Sequence, residues 1–109
     1  MRKNMKKIVL TLGLMMCALP VMAGGNAEAG KAKSAACAGC HGADGNSPTA
    51  MFPKLSGQHA DYLFHSLTGY KSGKRKNPIM QGQVANLSVQ DMHDLAAYFS
   101  KQNGLSQKY

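Results

Sequence analysis

The sequence predicts an all-α domain in which three main helices are separated by long loops. Two segments, 59–71 and 88–101, carry apolar residues at helical spacing. A third, from Asn26 to about Ala38, is rich in alanine, which favours helix. Residues 42–58 contain several glycines and prolines, so this stretch is predicted to be a loop. Seventeen residues make a long loop for a compact domain, so we expect it to wrap a bound group.

The stretch Cys37-Ala38-Gly39-Cys40-His41 indicates what that group is. The spacing C-x-x-C-H is the attachment signature of a c-type haem. Two thiols three positions apart can add to the two vinyl groups of one porphyrin, and His41 can offer its imidazole to the iron as proximal ligand. A structural zinc site needs four ligands, and a thioredoxin-type dithiol needs a βαβ pattern. The sequence indicates neither, so we expect loops wrapped around one covalently bound haem c.

Residues 1–23 are predicted to be a cleaved secretory signal peptide, with 24–109 forming a single domain. A basic head is followed by an apolar run over 8–19 and by a small-residue cleavage site ending at Ala23. The run has 12 residues, short of the about 20 that span a bilayer, so retention as a membrane anchor is the lesser alternative. Cys17 is assigned to the signal. Because haem attachment typically takes place outside the cytoplasm, we expect a periplasmic location.

The charge of the domain is lower than that of the full chain. The formal net charge of +8 includes four basic residues of the predicted signal. Nine basic and five acidic residues remain in 24–109, which leaves +4. The basic character of the full chain is therefore no reason to expect nucleic-acid binding.

The first and last helices are predicted to pack together. Asn26 can cap the first, with Glu28 favourably placed in its first turn, and Gly30 lets a partner helix approach. In the last helix, Ser88 and Asp91 resemble a capping box. Its apolar face consists of Met92, Leu95, Ala96 and Phe99.

The middle of the chain is less regular. Leu63, Leu67 and Tyr70 define one face of the helix over 59–71, and a basic turn follows over 71–76. Pro78 and Gly82 argue against a long helix beyond that turn, though 83–87 could form a short helical turn. In the loop 42–58, four apolar residues are expected to touch the haem or its rim: Met51, Phe52, Pro53 and Leu55.

The haem iron also needs a sixth ligand or an open site. The candidates in 24–109 are Met51, Met80, Met92, His59, His65 and His93. Met92 belongs to the apolar stripe of the last helix, and the histidines occupy cap or surface positions. Met80 is preferred, because it is predicted to lie in a loop behind Pro78 where the chain can pass to the far side of the ring. Met51, a histidine or an open position are the alternatives.

The domain resembles a class I c-type cytochrome of the small monohaem bacterial type. It is similar to one domain of cytochrome c4 and to cytochrome c-553. The matching stretches include 30–33, 37–42, 44–47, 52–58, Tyr62 with Leu67, Gly73 with Arg75, and 87–99. The resemblance implies the cytochrome c fold. It also implies Met80 as the distal ligand, since the family's axial methionine shortly precedes the Leu-Ser that opens the last helix, and Pro53 as the residue whose carbonyl orients the proximal imidazole. Cytochrome c4 carries two such domains and this chain one.

The function that follows is electron transfer rather than enzymatic catalysis. The resemblance implies a quinol–cytochrome c reductase or similar donor and a terminal oxidase or peroxidase as acceptor in a respiratory chain. The basic turn 71–76 either steers an acidic partner or is only a solvated surface. Two alternatives remain: a haem subunit of a larger redox enzyme, and a gas-binding or peroxidase-type haem protein if Met80 is not a ligand.

Overall fold

The computed structural model describes Gly13 and residues 24–105, and this part of the chain is helical with no β-strand. Five helices follow one another: α1 (Ala27–Lys33), α2 (Ala35–His41), α3 (Ala60–Ser72), α4 (Pro78–Val84) and α5 (Val89–Ser100). The predicted all-α class is confirmed. Apart from Gly13, the predicted signal peptide 1–23 lies outside the described residues. Among the helices described, none has the length and apolar character that crossing a membrane requires.

The first predicted helix is two helices that meet at Ser34. The Ser34 hydroxyl donates to the carbonyl oxygen of Lys31 at 2.8 Å, and the Ser34 backbone N–H reaches the same oxygen at 3.2 Å. Serine competes in this way with the regular helical hydrogen bond. The chain therefore ends α1 at Lys33 and starts α2 at Ala35, a break that the alanine content does not reveal.

Residues 78–84 form a helix where the sequence predicted a loop, so Met80 lies in the first turn of α4. The side chain of Asn77 accepts hydrogen bonds from the backbone N–H groups of Ile79 and Met80, both at 3.1 Å. Pro78 occupies the first helical position, where its missing N–H costs nothing and its fixed φ suits the helix. Pro78 thus starts this helix, and Gly82 is tolerated within it.

Helix α5 forms the centre of the core. Its predicted capping box is present: the Asp91 N–H donates to the Ser88 hydroxyl at 3.0 Å, and the Ser88 N–H to the Asp91 carboxylate at 2.9 Å. All four residues of its predicted apolar stripe are buried. The core cluster also includes Leu63 of α3 and Tyr98 of α5, so α3 packs on the same helix.

Helix α1 crosses α5 at Gly30, as the small residues predicted. A Cβ at Gly30 would clash with the carbonyl oxygen of Asp94 and would lie 2.8 Å from the Cβ of Tyr98. The absence of a side chain therefore sets the distance between the two helices. The contact joins the first and last helices of the described domain.

Replacing Gly30 with alanine is expected to lower the free energy of unfolding by about 1–3 kcal/mol, because the added methyl overpacks this crossing. Gly82→Ala is the matched control, since a Cβ at Gly82 has nothing within 4 Å and alanine is the better helix former by up to ~1 kcal/mol. Chemical denaturation of both holoproteins measures the difference. Equal destabilisation by the two substitutions would contradict the close crossing.

An ionic cluster reinforces the same interface. Lys33 of α1 contacts the carboxylates of Asp91 at 2.8 Å and Asp94 at 2.7 Å. Asp94 is 3% exposed and also accepts from the Asn26 backbone N–H and the Gln90 side chain, each at 2.8 Å. Burial acts to raise the pKa of Asp94, but these hydrogen bonds outweigh it and the pKa is lowered. The hydrogen bond from Lys33 lowers the pKa of Asp91 to about 2.

This cluster predicts a loss of stability in acid. Because the folded protein holds the pKa of Asp91 at about 2, below its value of about 4 in an unfolded chain, the stabilisation is complete above pH ~4 and is lost as the pH falls toward 2. Urea unfolding between pH 2.5 and 6 is expected to show a steeper acid loss in the wild type than in Asp91→Asn. The side-chain oxygen of asparagine can still accept the hydrogen bond from the Ser88 N–H, so parallel curves would mean that the charge of Asp91 contributes nothing.

Candidate haem site

Helix α2 carries the three residues of the predicted attachment motif. Cys37, Cys40 and His41 stand at positions i, i+3 and i+4 of one short helix, so their side chains leave the same face. Both cysteines are half-buried and free of disulfide bonds. Burial raises the pKa of the Cys37 thiol, which favours an uncharged sulfur there. A thioether is also uncharged, so this position suits a covalent link to a vinyl group.

His41 is 7% exposed, and its ring orientation is set by a backbone carbonyl. The distance from His41 Nδ1 to the carbonyl oxygen of Pro53 is 2.7 Å. Because a carbonyl oxygen only accepts, Nδ1 must carry the proton, which leaves the lone pair of the neutral imidazole on Nε2. The hydrogen bond to Pro53 expected from the resemblance is present. It prepares Nε2 to act as a metal ligand.

The loop 42–58 that carries Pro53 is held firmly in place. The carbonyl oxygen of Gly45 accepts from the backbone N–H groups of Leu55 at 2.8 Å and Ser56 at 3.2 Å. Gly45 has a φ of 81°, a conformation that glycine adopts without strain. The Tyr98 hydroxyl donates to the carbonyl of Ala43 at 2.8 Å. Helix α5 therefore anchors the loop that orients His41.

These elements enclose a cavity of about 560 Å³, within the about 300–1,000 Å³ typical of small-molecule and cofactor sites. Every predicted site residue lines it: Cys37, Cys40, His41, Phe52, Pro53, Leu55 and Met80. Much of the remaining wall is apolar and includes Leu63, Leu67, Leu95, Ala96 and Phe99. The Phe52 ring lies edge-on to the His41 ring, with 6.3 Å between centroids.

The candidates for the sixth ligand are separated by position. Met80 lines the cavity from α4 and is half-buried, whereas Met51 lines it but is 81% exposed. Met92 is buried in the core and is absent from the cavity wall. His93 stacks on Phe64, with ring centroids 3.8 Å apart and the planes 6° from parallel. His59 and His65 also lie away from the cavity wall.

The charges on the cavity wall are positive. Lys54 and Arg75 line it, and no Asp or Glu of the described chain does. The Arg75 guanidinium lies 4.9 Å from the centroid of the Tyr70 ring and donates to the Tyr70 hydroxyl at 3.3 Å. The hydrogen bond with Tyr70, and to a smaller extent one with Tyr62, raises the pKa of the Arg75 guanidinium. A wall with this charge suits the anionic propionates of a haem.

The residues present fit a haem c. Helix α2 supplies two thiols and an imidazole with its lone pair on Nε2, α4 supplies a thioether sulfur, and apolar side chains complete the wall. The sequence patterns did not predict that Arg75 and Tyr70 line the cavity, or that Met80 lies in a helix. The pair Asn77-Pro78, a preferred N-cap followed by proline at the first helical position, is the signal that indicates that helix.

The sequence is similar to those of known cytochromes. The sequence model of the family described as Cytochrome c matches residues 27–103. Cytochrome c4 of Pseudomonas aeruginosa is 50% identical over 102 residues, which cover 94% of this chain and 49% of that protein. Cytochrome c-554(548) of Halomonas halodenitrificans is 41% identical over 81 residues, covering 72% of this chain and 98% of that protein.

A solved structure is similar as well. The crystal structure of reduced recombinant cytochrome c4 from Pseudomonas stutzeri superimposes with a TM-score of 0.71 at 48% identity, over 74% of this chain and 47% of that one. The chain thus spans about half the length of the cytochrome c4 relatives it matches.

Proposed function

The chain belongs to the cytochrome c family, whose members bind covalently attached haem c with its iron, and on this premise we propose that it is an electron carrier. It has the cytochrome c fold. It would take single electrons from one redox protein and deliver them to another. One observation carries the proposal. His41, whose imidazole is oriented by a hydrogen bond, and Met80, which belongs to a different helix, line the same largely apolar cavity.

In this proposal each predicted site residue has one role. Cys37 and Cys40 hold the haem through thioether bonds, and Nε2 of His41 is the proximal ligand, oriented by the carbonyl of Pro53. Met80 is the distal ligand. Phe52 and Leu55 belong to the apolar pocket around the ring.

This ligand set explains why the function would be electron transfer. Bound haem supplies an iron that gains and loses one electron. His41 and Met80 would both coordinate that iron, which would leave no coordination position for a substrate. Ligation by His and Met raises the reduction potential of a haem. The buried imidazole and the anchored loop hold the surroundings of the iron in one arrangement, so little has to move when the charge changes.

The location and partners follow as parts of the same proposal. Residues 1–23 would direct export and be removed, and residues 24–109 would act in the periplasm. The donor would be a quinol–cytochrome c reductase or a similar protein, and the acceptor a terminal oxidase or a peroxidase. Encounters between such partners are usually small and transient. Lys74 and Lys76 are exposed and flank Arg75 of the cavity wall in the sequence, and they favour a partner with an acidic surface.

Visible spectroscopy of the exported holoprotein tests the proposal. The ferric form is expected to show the weak red-edge band of methionine sulfur bound to haem. A potentiometric titration is expected to be reversible with one electron per haem, and the native ferrous form is expected not to bind CO rapidly. A high-spin ferric spectrum with fast CO binding would overturn the proposal in favour of a gas-binding or peroxidase-type protein. Stable co-purification with a catalytic subunit would favour a haem subunit of a larger enzyme.

A further inference from the structure

Lys71 connects the end of helix α3 to the segment that follows α4. Its ammonium group donates to the carbonyl oxygens of Leu87 and of Ala85, the latter at 3.4 Å. Both acceptors come directly after α4, which ends at Val84. One side chain of α3 is therefore bonded to two carbonyls that lie 14 and 16 residues further along the chain, just after α4.

Helix α4 needs such an attachment because it is short. It has seven residues, fewer than the about 12–15 at which an isolated helix becomes even marginally stable. Its first turn is fixed by the Asn77 cap, and Val84 is its single buried residue. The last carbonyls of any helix lack partners within the helix, and a lysine near that end can supply donors. Lys71 acts one step further along: from the neighbouring helix it binds the carbonyls of Ala85 and Leu87, just beyond the end of α4.

Met80 depends on the position of this short helix. Its sulfur can reach an iron in the cavity only while α4 stays against α3. The Asn77 cap restrains the helix before Met80, and the bonds from Lys71 restrain the chain after it. With either restraint removed, α4 would be held by the other and by the burial of Val84, while the rest of the core would remain packed.

We infer that Lys71 is a positioning residue that keeps Met80 at the haem iron. The inference rests on the proposed role of Met80 as distal ligand. It assigns Lys71 a different task from Lys74 and Lys76 in the same basic turn. Those two lysines are exposed, and within the described residues their ammonium groups make no hydrogen bond or ion pair; Lys74 donates only its backbone N–H, to the Ser72 hydroxyl at 3.4 Å. Their charges therefore remain available to a partner.

Competition by imidazole tests the inference on the ferric holoprotein. Imidazole binds the iron when the methionine leaves, and the loss of the red-edge band reports its affinity. Lys71→Met keeps the aliphatic stem and the helix propensity but removes the donors. It is expected to bind imidazole about tenfold more tightly than the wild type, the effect of losing a charged hydrogen bond. Lys71→Arg, which keeps the donors, is expected to stay within about twofold of the wild type by the same reasoning.

Lys74→Met is the matched control, because it removes the same charge from the same turn. An affinity for imidazole that rises equally in Lys71→Met and Lys74→Met, or in neither, would overturn the role of Lys71. Far-UV circular dichroism checks that Lys71→Met is folded, as expected for an exposed position. Met80→Ala separates a failure of the ligand assignment from a failure of the Lys71 inference. If the ferric spectrum of Met80→Ala matches that of the wild type, the assignment of Met80 as distal ligand is wrong. If Met80→Ala loses the band while Lys71→Met resists imidazole like the wild type, only the positioning inference is wrong.

Discussion

Replacing Cys37 and Cys40 together with serine is expected to leave the protein without covalently bound haem. The two thiols are the only ones in the predicted domain, and both stand on the face of α2 that lines the cavity. Serine is close in size, but its hydroxyl forms no thioether with a vinyl group. Acid–acetone extraction followed by a haem stain on a denaturing gel is expected to show complete loss in the double variant.

The single variants test each of the two thioether links separately. Cys37→Ser and Cys40→Ser each leave one thioether, so the reduced pyridine haemochrome spectrum is expected to shift from that of two links to that of one. Ala36→Ser is the control, since Ala36 also lines the cavity from α2 and carries no thiol. Haem that survives extraction in the double variant would show that attachment occurs elsewhere in the chain.

Met80→Ala is expected to change the iron more than any other single substitution outside the attachment motif. Loss of the distal sulfur should remove the red-edge band of the ferric protein and open the ferrous iron to CO. The reduction potential is expected to fall by on the order of 0.2 V, because axial ligands set haem potentials over a range of about 0.8 V. Spectra, CO titration and potentiometry of the same preparation measure all three changes.

Met51→Ala is the matched control for this experiment. Met51 lines the same cavity but is 81% exposed, so its removal is expected to leave the band and the potential nearly unchanged. The opposite pattern, with the band lost in Met51→Ala and kept in Met80→Ala, would make Met51 the distal ligand. A band kept in both variants would exclude both methionines.

Local features of the fold could be predicted well from the sequence. The capping box of Ser88 and Asp91 and the stripe around Leu95 depend on spacing within one helix, which the sequence displays directly. The motif from Cys37 to His41 is equally local. The hydrogen bond between His41 and Pro53 was anticipated only through resemblance to a family, since nothing in the intervening 11 residues dictates it.

Other features depend on contacts that spacing does not encode. The break at Ser34 arises because one hydroxyl competes for the carbonyl of Lys31, and the same residue type often stays within a helix. Asp94 is buried because Lys33 and Asn26, more than 60 residues away, satisfy its carboxylate. The basic residues 71–76 look alike in sequence, yet in the structure the Lys71 ammonium binds the backbone beyond α4, whereas the Lys74 ammonium makes no hydrogen bond or ion pair within the described residues.

The cavity shares its walls with the hydrophobic core, and this has a consequence for how the protein is made. Leu63, Leu95 and Phe99 belong both to the core cluster and to the lining of the 560 Å³ cavity. Without haem, these three side chains would face that space instead of an apolar group, and each would lose part of the about 1.5–3 kcal/mol that full burial of such a side chain contributes, a large loss for a domain of typical stability. We therefore expect the chain to acquire haem before or while it collapses. Cells starved of haem should clear this protein by proteolysis rather than store it as a folded precursor.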